Sequence, residues 1–336
     1  MHNQKYKDRS KDPKVYKSKY KDQNAITLES NLIKAQIIPE IGSKICSLIY
    51  KPKDIELLIQ REDQKYKLEP YDGVYINGEE SGFDEMFPSI NECYYESYPW
   101  KGIRIPDHGE LWSIPWDYKI ENYKLIMEVY GVRFPYKIKK AVCFTEENIL
   151  KIEYELTNLS NFTFDFMWAA HTMFILEENS EIVLPKDVKK VISTWRFGNY
   201  GDEYNWPCFE SKSGEEIKLN KIRSKIIKDA KKYFVKGKMP EGWCAVKYFK
   251  SEIVLALSFP TESVPYLAIL TNEGGWEDLF NIFIEPCTAS FDRLDVARLR
   301  EEYISLGPKS KFEWHLNFTI SEIMNFRNVS EEGLLI

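Results

Sequence analysis

Apolar and polar residues alternate with period two along much of the chain. Over residues 311–320, Phe312, Trp314, Leu316, Phe318 and Ile320 alternate with Glu313, His315, Asn317 and Thr319, the pattern of a strand with one buried face. Residues 149–156 and 161–168 repeat it. Two more continuous apolar runs, 253–259 and 266–270, predict strands buried on both faces. Turn formers separate these runs, among them Pro39, Gly42, Gly78, Gly102, Pro115, Gly198, Gly242 and Gly274. Helical periodicity is weak, and only 215–232 and 292–304 predict short helices. Many strands joined by turns, with few helices, predict an all-β fold, a large twisted antiparallel β-sandwich. No low-complexity linker or repeat divides the chain, so 25–336 is expected to form one domain behind a tail or edge segment, 1–24.

Composition narrows the function classes. The 336 residues are 43% hydrophobic and 29% charged, which suits a folded enzyme-sized protein with a substantial core. Eight Lys/Arg against three Asp give residues 1–24 a charge of +5, leaving −11 of the net −6 on the remainder. An acidic body without a basic stripe argues against a nucleic-acid partner. No apolar h-region follows the N-terminus, and no apolar run reaches the ~18 residues of a membrane span. The six cysteines, Cys46, Cys93, Cys143, Cys208, Cys244 and Cys287, form no CxxC pair or disulfide framework. A cytoplasmic protein is expected. Aromatics make up 15% of the chain. Strands account for part of that excess, and the rest offers flat apolar platforms suited to sugar rings.

Only four histidines occur, so each can be weighed. His2 lies in the tail, and His315 falls on the polar face of its strand. His171 closes the alternating run from Phe162, on a face with Thr163, Asp165, Met167 and Ala169. That mixed face suits either a ligand-lined sheet or a buried structural histidine. His108 sits in Pro106-Asp107-His108-Gly109-Glu110-Leu111-Trp112, where Asp107 and Glu110 are placed to orient an imidazole. A surface turn with a stray histidine explains the same composition. Glu285 ends the apolar stretch from Leu279, on a face with Asn281 and Phe283 and opposite Ile282 and Ile284. A carboxylate there is expected to be desolvated, which raises its basicity and suits a general base. Pro286 is expected to end or edge the strand.

The ordered set Gly82-Phe83-Asp84-Glu85-Met86-Phe87-Pro88, the 106–112 loop, the His171 strand and Phe283-Ile284-Glu285-Pro286-Cys287 resembles the galactose mutarotase (aldose 1-epimerase)-like superfamily, from about residue 25 to 322. The resemblance implies the sandwich of that superfamily with a sugar in a shallow cleft on one face. It implies aldose anomer exchange without metal or organic cofactor. Glu285 then matches the carboxylate that takes the anomeric hydroxyl proton, His171 the histidine that protonates the ring oxygen, and His108 a second histidine polarising the same region. Asp84, Glu85, Arg104, Glu110, Trp112 and Trp276 are the candidate sugar contacts. Mutarotases carry an arginine upstream of the first histidine. Here the comparable stretch, 81–88, has none, which leaves Arg104 as the candidate to stand in its place.

Three rival readings accompany this one. The first is a sugar-binding protein without catalysis on the same fold. The second is glycoside cleavage by a carboxylate pair drawn from Asp84, Glu85, Asp107, Glu110 and Glu285, which requires the two groups about 5–10 Å apart across the scissile bond. The third is a two-histidine, one-carboxylate metal site. The expected partner is a small carbohydrate, with the protein a monomer or homodimer.

Overall fold

The computed structural model describes residues 13–62, 64–211 and 214–336. His2 and the basic Lys5, Lys7, Arg9 and Lys11 lie outside the described residues. Two large antiparallel sheets carry the fold. The larger has 12 strands, running from Lys14–Tyr20 through Gln23–Glu29, Ile33–Ile38, Lys44–Tyr50 and Phe83–Met86 to Ala169–Ile175. It continues through Phe280–Cys287, Tyr266–Glu273, Asp229–Val235 and Lys190–Trp195 to Glu203–Asn205, and the twelfth strand, Ile55–Glu56, pairs with Lys44–Tyr50 off this path. The second sheet has eight strands, with Lys311–Glu322 between Ile253–Ser258 and Ile149–Asn158.

The two sheets meet on their apolar faces, as the period-two pattern requires. Phe83 and Phe174 of the larger sheet pack on Phe318 of the smaller one, with ring centres 5.7 and 5.9 Å apart. Trp168 reaches Tyr154 and Trp314 at 5.1 and 5.3 Å. Burying each large apolar side chain contributes ~1.5–3 kcal/mol, and a one-residue slip would turn a whole row outward, so register is strongly specified. Asn317 and Thr319 face away from this core and are nevertheless buried. The C-terminal segment covers them, accepting hydrogen bonds at Glu331 O (2.8 Å) and Gly333 O (2.6 Å).

The all-β expectation stands, and so does a helix in 292–304, at Leu294–Leu299. Residues 215–232 form no α-helix, only one 3-10 turn at Lys225–Ile227. They form a short strand, Glu216–Lys218, and enter Asp229–Val235, which is paired on both edges. Two sheet neighbours outweigh the modest helix preference of a lysine-rich segment. The run 162–171 is not one strand. Phe164–Phe166 pairs with Ile304–Leu306, and only from Ala169 does the chain join the large sheet. Asp165 therefore does not share a surface with His171; it bonds Ser97, Ser305 and Arg298. Pro286 lies inside a central strand, opposite Leu267. Its missing N–H falls where the Ala169–Ile175 pairing is interrupted, and Thr172 Oγ1 bridges the neighbouring Ile284 amide and carbonyl at 3.1 and 2.7 Å. Lys14–Tyr20 is an edge strand, where Lys14, Lys17 and Lys19 disfavour further strand addition.

Candidate active site

Adjacent strands bring three of the chain's ionisable residues into one row. His171 pairs with Asp84 on one side. On the other side, Ala169 pairs with Cys287 and Thr172 with Ile284, a register that sets His171 opposite Glu285. All three side chains stand on the outer face of the large sheet, because Phe83, Phe174, Ile282 and Ile284 occupy the inner one. Asn281 and Phe283 share the Glu285 face, as the alternation predicts, and Met173 shares that of His171.

This face forms the floor of a cavity of about 280 Å³ lined by His108, His171 and Glu285, just below the ~300–1,000 Å³ usual for small-molecule sites. Trp195, Trp276, Leu270, Leu279 and Phe283 supply apolar wall. The two indoles lie 5.7 Å apart and edge to face. Polar groups converge from Glu80, Thr194, Lys232, Asn281 and Asp292. Asn281 Nδ2 and Thr194 Oγ1 are buried without a protein hydrogen-bond partner among the described residues. Buried polar atoms are rarely left so, and these two are suited to ligand hydroxyls.

The His108 loop reaches the cavity through a tight turn. Gly109 N–H donates to Pro106 O (2.9 Å), His108 N–H to Ile90 O (2.7 Å) and Glu110 N–H to Phe87 O (2.7 Å). A Cβ on Gly109 would stand 2.0 Å from Phe87 O, so only glycine fits there. His108 itself adopts φ 57°, its ring stacked on Tyr75 at 4.1 Å and 13°. Its Nδ1 lies 2.9 Å from Asp107 Oδ1, while Asp107 Oδ2 accepts the Tyr75 amide at 2.9 Å. Burial works against ionisation of Asp107, yet the bonds from His108 and Tyr75 hold its carboxyl below the ordinary range.

His171 is held differently. Tyr75 O–H donates to Asp84 Oδ2 (2.8 Å), which Lys44 Nζ also contacts at 2.7 Å. With its proton so committed, the Tyr75 oxygen accepts from His171 Nδ1–H at 3.2 Å. Nε2 is then the nitrogen with the free lone pair. Burial, followed by the charges of His108, Lys232 and Lys44, pushes the His171 pKa well below 6.5, so the ring is neutral at neutral pH.

Glu285 is 1% exposed. Burial raises its pKa above the ordinary carboxylate range, opposed by Lys232 and reinforced by Asp292. Lys232 Nζ lies 2.6 Å from Glu285 Oε2 and 2.7 Å from Asp292 Oδ1.

Trp276, of the candidate sugar contacts, lines the cavity; the other five do not. Asp84 lies beneath Tyr75, paired with Lys44. Glu85 points into the inter-sheet core, where it meets Lys140 (2.5 Å) and Tyr154 O–H (2.8 Å). Glu110 accepts from Tyr71, Tyr136 and the amides of Val132 and Arg133, which fixes the loop. Trp112 packs on Tyr75 at 5.0 Å and donates its indole N–H to Asp107 O. Arg104 pairs with Asp72 and Glu92. So paired, it stands outside the cavity lining.

Sequence reasoning missed Lys232, Asp292, Tyr75, Glu80, Thr194 and Trp195. A visible signal existed only for Lys232, since Lys231-Lys232 interrupts the otherwise apolar run from Ala230 to Val235. A larger, open furrow of about 580 Å³ crosses the outer face of the smaller sheet at Lys151, Glu153, Glu313 and His315. Its charged side chains lie along an open surface rather than in a pocket, and His315 is half-buried there with Nε2 3.3 Å from Glu331 O. Among the described residues no group of three or more His, Cys, Asp or Glu is arranged to hold a metal ion. No helix of the described residues is long and apolar enough to cross a membrane.

No family profile matches the chain, and no curated protein sequence does. Solved structures match over nearly its whole length. A galactose mutarotase related enzyme from Lactobacillus acidophilus aligns with TM-score 0.65 at 16% identity, covering 90% of this chain and all of its own. A galactose mutarotase-like protein from Clostridium acetobutylicum gives 0.66 at 16%, covering 93% and 100%. Another, from Lactobacillus casei, gives 0.63 at 14%, covering 88% and 100%. The chain has the galactose mutarotase-like fold.

Proposed function

We propose that the protein catalyses anomer exchange of an aldose, as an aldose 1-epimerase. The observation that carries this reading is the convergence of His108, His171 and Glu285 on one small, tryptophan-walled cavity. Ring opening removes a proton from O1 and delivers one to O5, as C1–O5 breaks and the C1 carbonyl forms. Glu285, poised as a carboxylate of raised basicity, takes the first proton. The second is assigned to His108, the ring whose Nδ1 is anchored on the Asp107 carboxylate. His171, neutral with Nε2 bare, accepts a hydrogen bond and fixes the sugar beside them. This exchanges the parts of the two histidines that the sequence resemblance implies. Rotation about C1–C2 presents the other carbonyl face, and closure returns both protons. The fold of the solved structures supports the reading.

Magnetisation exchange between α and β anomers, screened across neutral, phosphorylated and acidic aldoses, tests it. At least one sugar is expected to exchange above the buffer rate. Loss by about 10²–10⁴-fold is expected in Glu285→Gln and in His108→Asn, the range of general acid–base catalysis. Sugar binding without accelerated exchange for any aldose would instead establish a carbohydrate-binding protein.

A further inference from the structure

A buried lysine stands between two carboxylates on the cavity floor, one of them the proposed base. Lys232 and Glu285 are 7% and 1% exposed. The ammonium lies 2.6 Å from Glu285 and 2.7 Å from Asp292. Lys232 comes from Asp229–Val235, opposite Leu270, which is itself opposite Phe283 on the Glu285 strand. The ammonium therefore crosses a whole intervening strand to reach Glu285. Asp292 belongs to the turn that follows the Glu285 strand, so both carboxylates are delivered by one stretch of chain and the cation by another.

We propose that Lys232 is a positioning residue that keeps Glu285 ionised in its dry setting, while Asp292 divides the ammonium's charge and so keeps Glu285 basic enough to take a proton. This rests on the reading of Glu285 as the base. Without the cation, two buried carboxylates so close cannot both ionise, and one would hold a proton. With the cation bound to Glu285 alone, the base would be weak. The other titratable groups facing Glu285 are His108 from its loop, His171 from the adjoining strand and Cys287, whose Sγ lies 3.0 Å from the Glu285 carbonyl. Lys44 lies beyond Tyr75. None of them contacts the Glu285 carboxylate as Lys232 does. Burial opposes the charge of Lys232, but the two carboxylates more than offset it and hold the ammonium protonated through the physiological range.

Carboxyl-carbon NMR titration of glutamate-labelled protein, with Glu285 assigned by its loss in Glu285→Gln, reads the proposal without any activity. Lys232→Met is expected to move the Glu285 titration up, and Asp292→Asn down, each by about one pH unit or more, as for charges within ~4–6 Å. Lys232→Arg is expected to stay near wild type. The acidic limb of kcat/KM for anomer exchange should follow each shift. An unmoved titration, or shifts of the same sign in both variants, would overturn the proposal. If Lys232→Met does not fold, Asp292→Asn decides, since an unmoved Glu285 there overturns it. Opposite shifts without exchange of any aldose would uphold the charge cluster and overturn the epimerase reading.

Discussion

His171 and Glu285 stand opposite each other across two strands, and burial shifts them in opposite directions. Each is pushed towards its neutral form, because desolvation penalises charge of either sign. The consequence for stability is separable. The unfolded chain binds a proton at His171 near pH 6.5, whereas the folded chain does so only well below that value. Stability from this residue is therefore complete above pH 6.5 and falls as pH drops, by about 1.4 kcal/mol per unit until the folded pKa is reached. Chemical denaturation at pH 7.5 and 5.5 checks it: His171→Asn should lose roughly 1 kcal/mol less over that interval than wild type. An identical loss in both proteins would mean that the fold leaves the His171 pKa where the unfolded chain has it.

Elements place the chemistry through a few backbone constraints. The His108 loop depends on Gly109, whose φ of 72° and 2.0 Å approach to Phe87 O leave no room for a Cβ. Gly109→Ala must shift the turn away from Phe87, and with it His108, its stack on Tyr75 and the Asp107 bond. Displacements of this kind, of the order of 1 Å, cost about 100-fold in rate. The expected result is anomer exchange reduced by about that factor with a native far-ultraviolet circular dichroism spectrum. Near-wild-type exchange would mean that His108 needs no fixed geometry. The strand break between Phe166 and Ala169 works at the same scale. By leaving one partner for another there, the chain inserts His171 between Asp84 and Glu285 rather than beside Asp165.

Across the whole molecule, neighbouring acids serve different ends. Asp84 points to the outer face of the large sheet and Glu85 to the core, since successive strand residues point to opposite faces. Glu85 and Lys140, both fully buried, join the two sheets through a 2.5 Å ion pair that also receives Tyr154 O–H. Removing one partner leaves an uncompensated charge, at a cost of about 3–5 kcal/mol, whereas replacing both with apolar residues is often neutral. Lys140→Met should accordingly lower the denaturation midpoint strongly, and Glu85→Leu/Lys140→Met should recover most of the loss. Exchange per folded molecule is expected to stay unchanged. A double variant no more stable than the single one would show that the pair does more than balance charge.

The fold class, the faces of the long strands and the company of Glu285 follow from the order of residues alone. Period-two alternation records which side of a strand is buried, and Asn281, Phe283 and Glu285 follow it without exception. His108, His171 and Glu285 were legible because histidines are few and an acid ending an apolar strand is conspicuous. Alternation does not record which strand comes next in a sheet. For that reason the break before Ala169, the strand in place of a helix at Asp229–Val235 and the central position of Pro286 were settled by pairing alone. The same limit hid Asp292 and the carboxylate partners of Lys232, and it could not show that Glu85, Glu110 and Arg104 lie outside the cavity lining. What an ionisable side chain does depends on charges and solvent brought near it from distant parts of the chain, and only the tertiary structure supplies those.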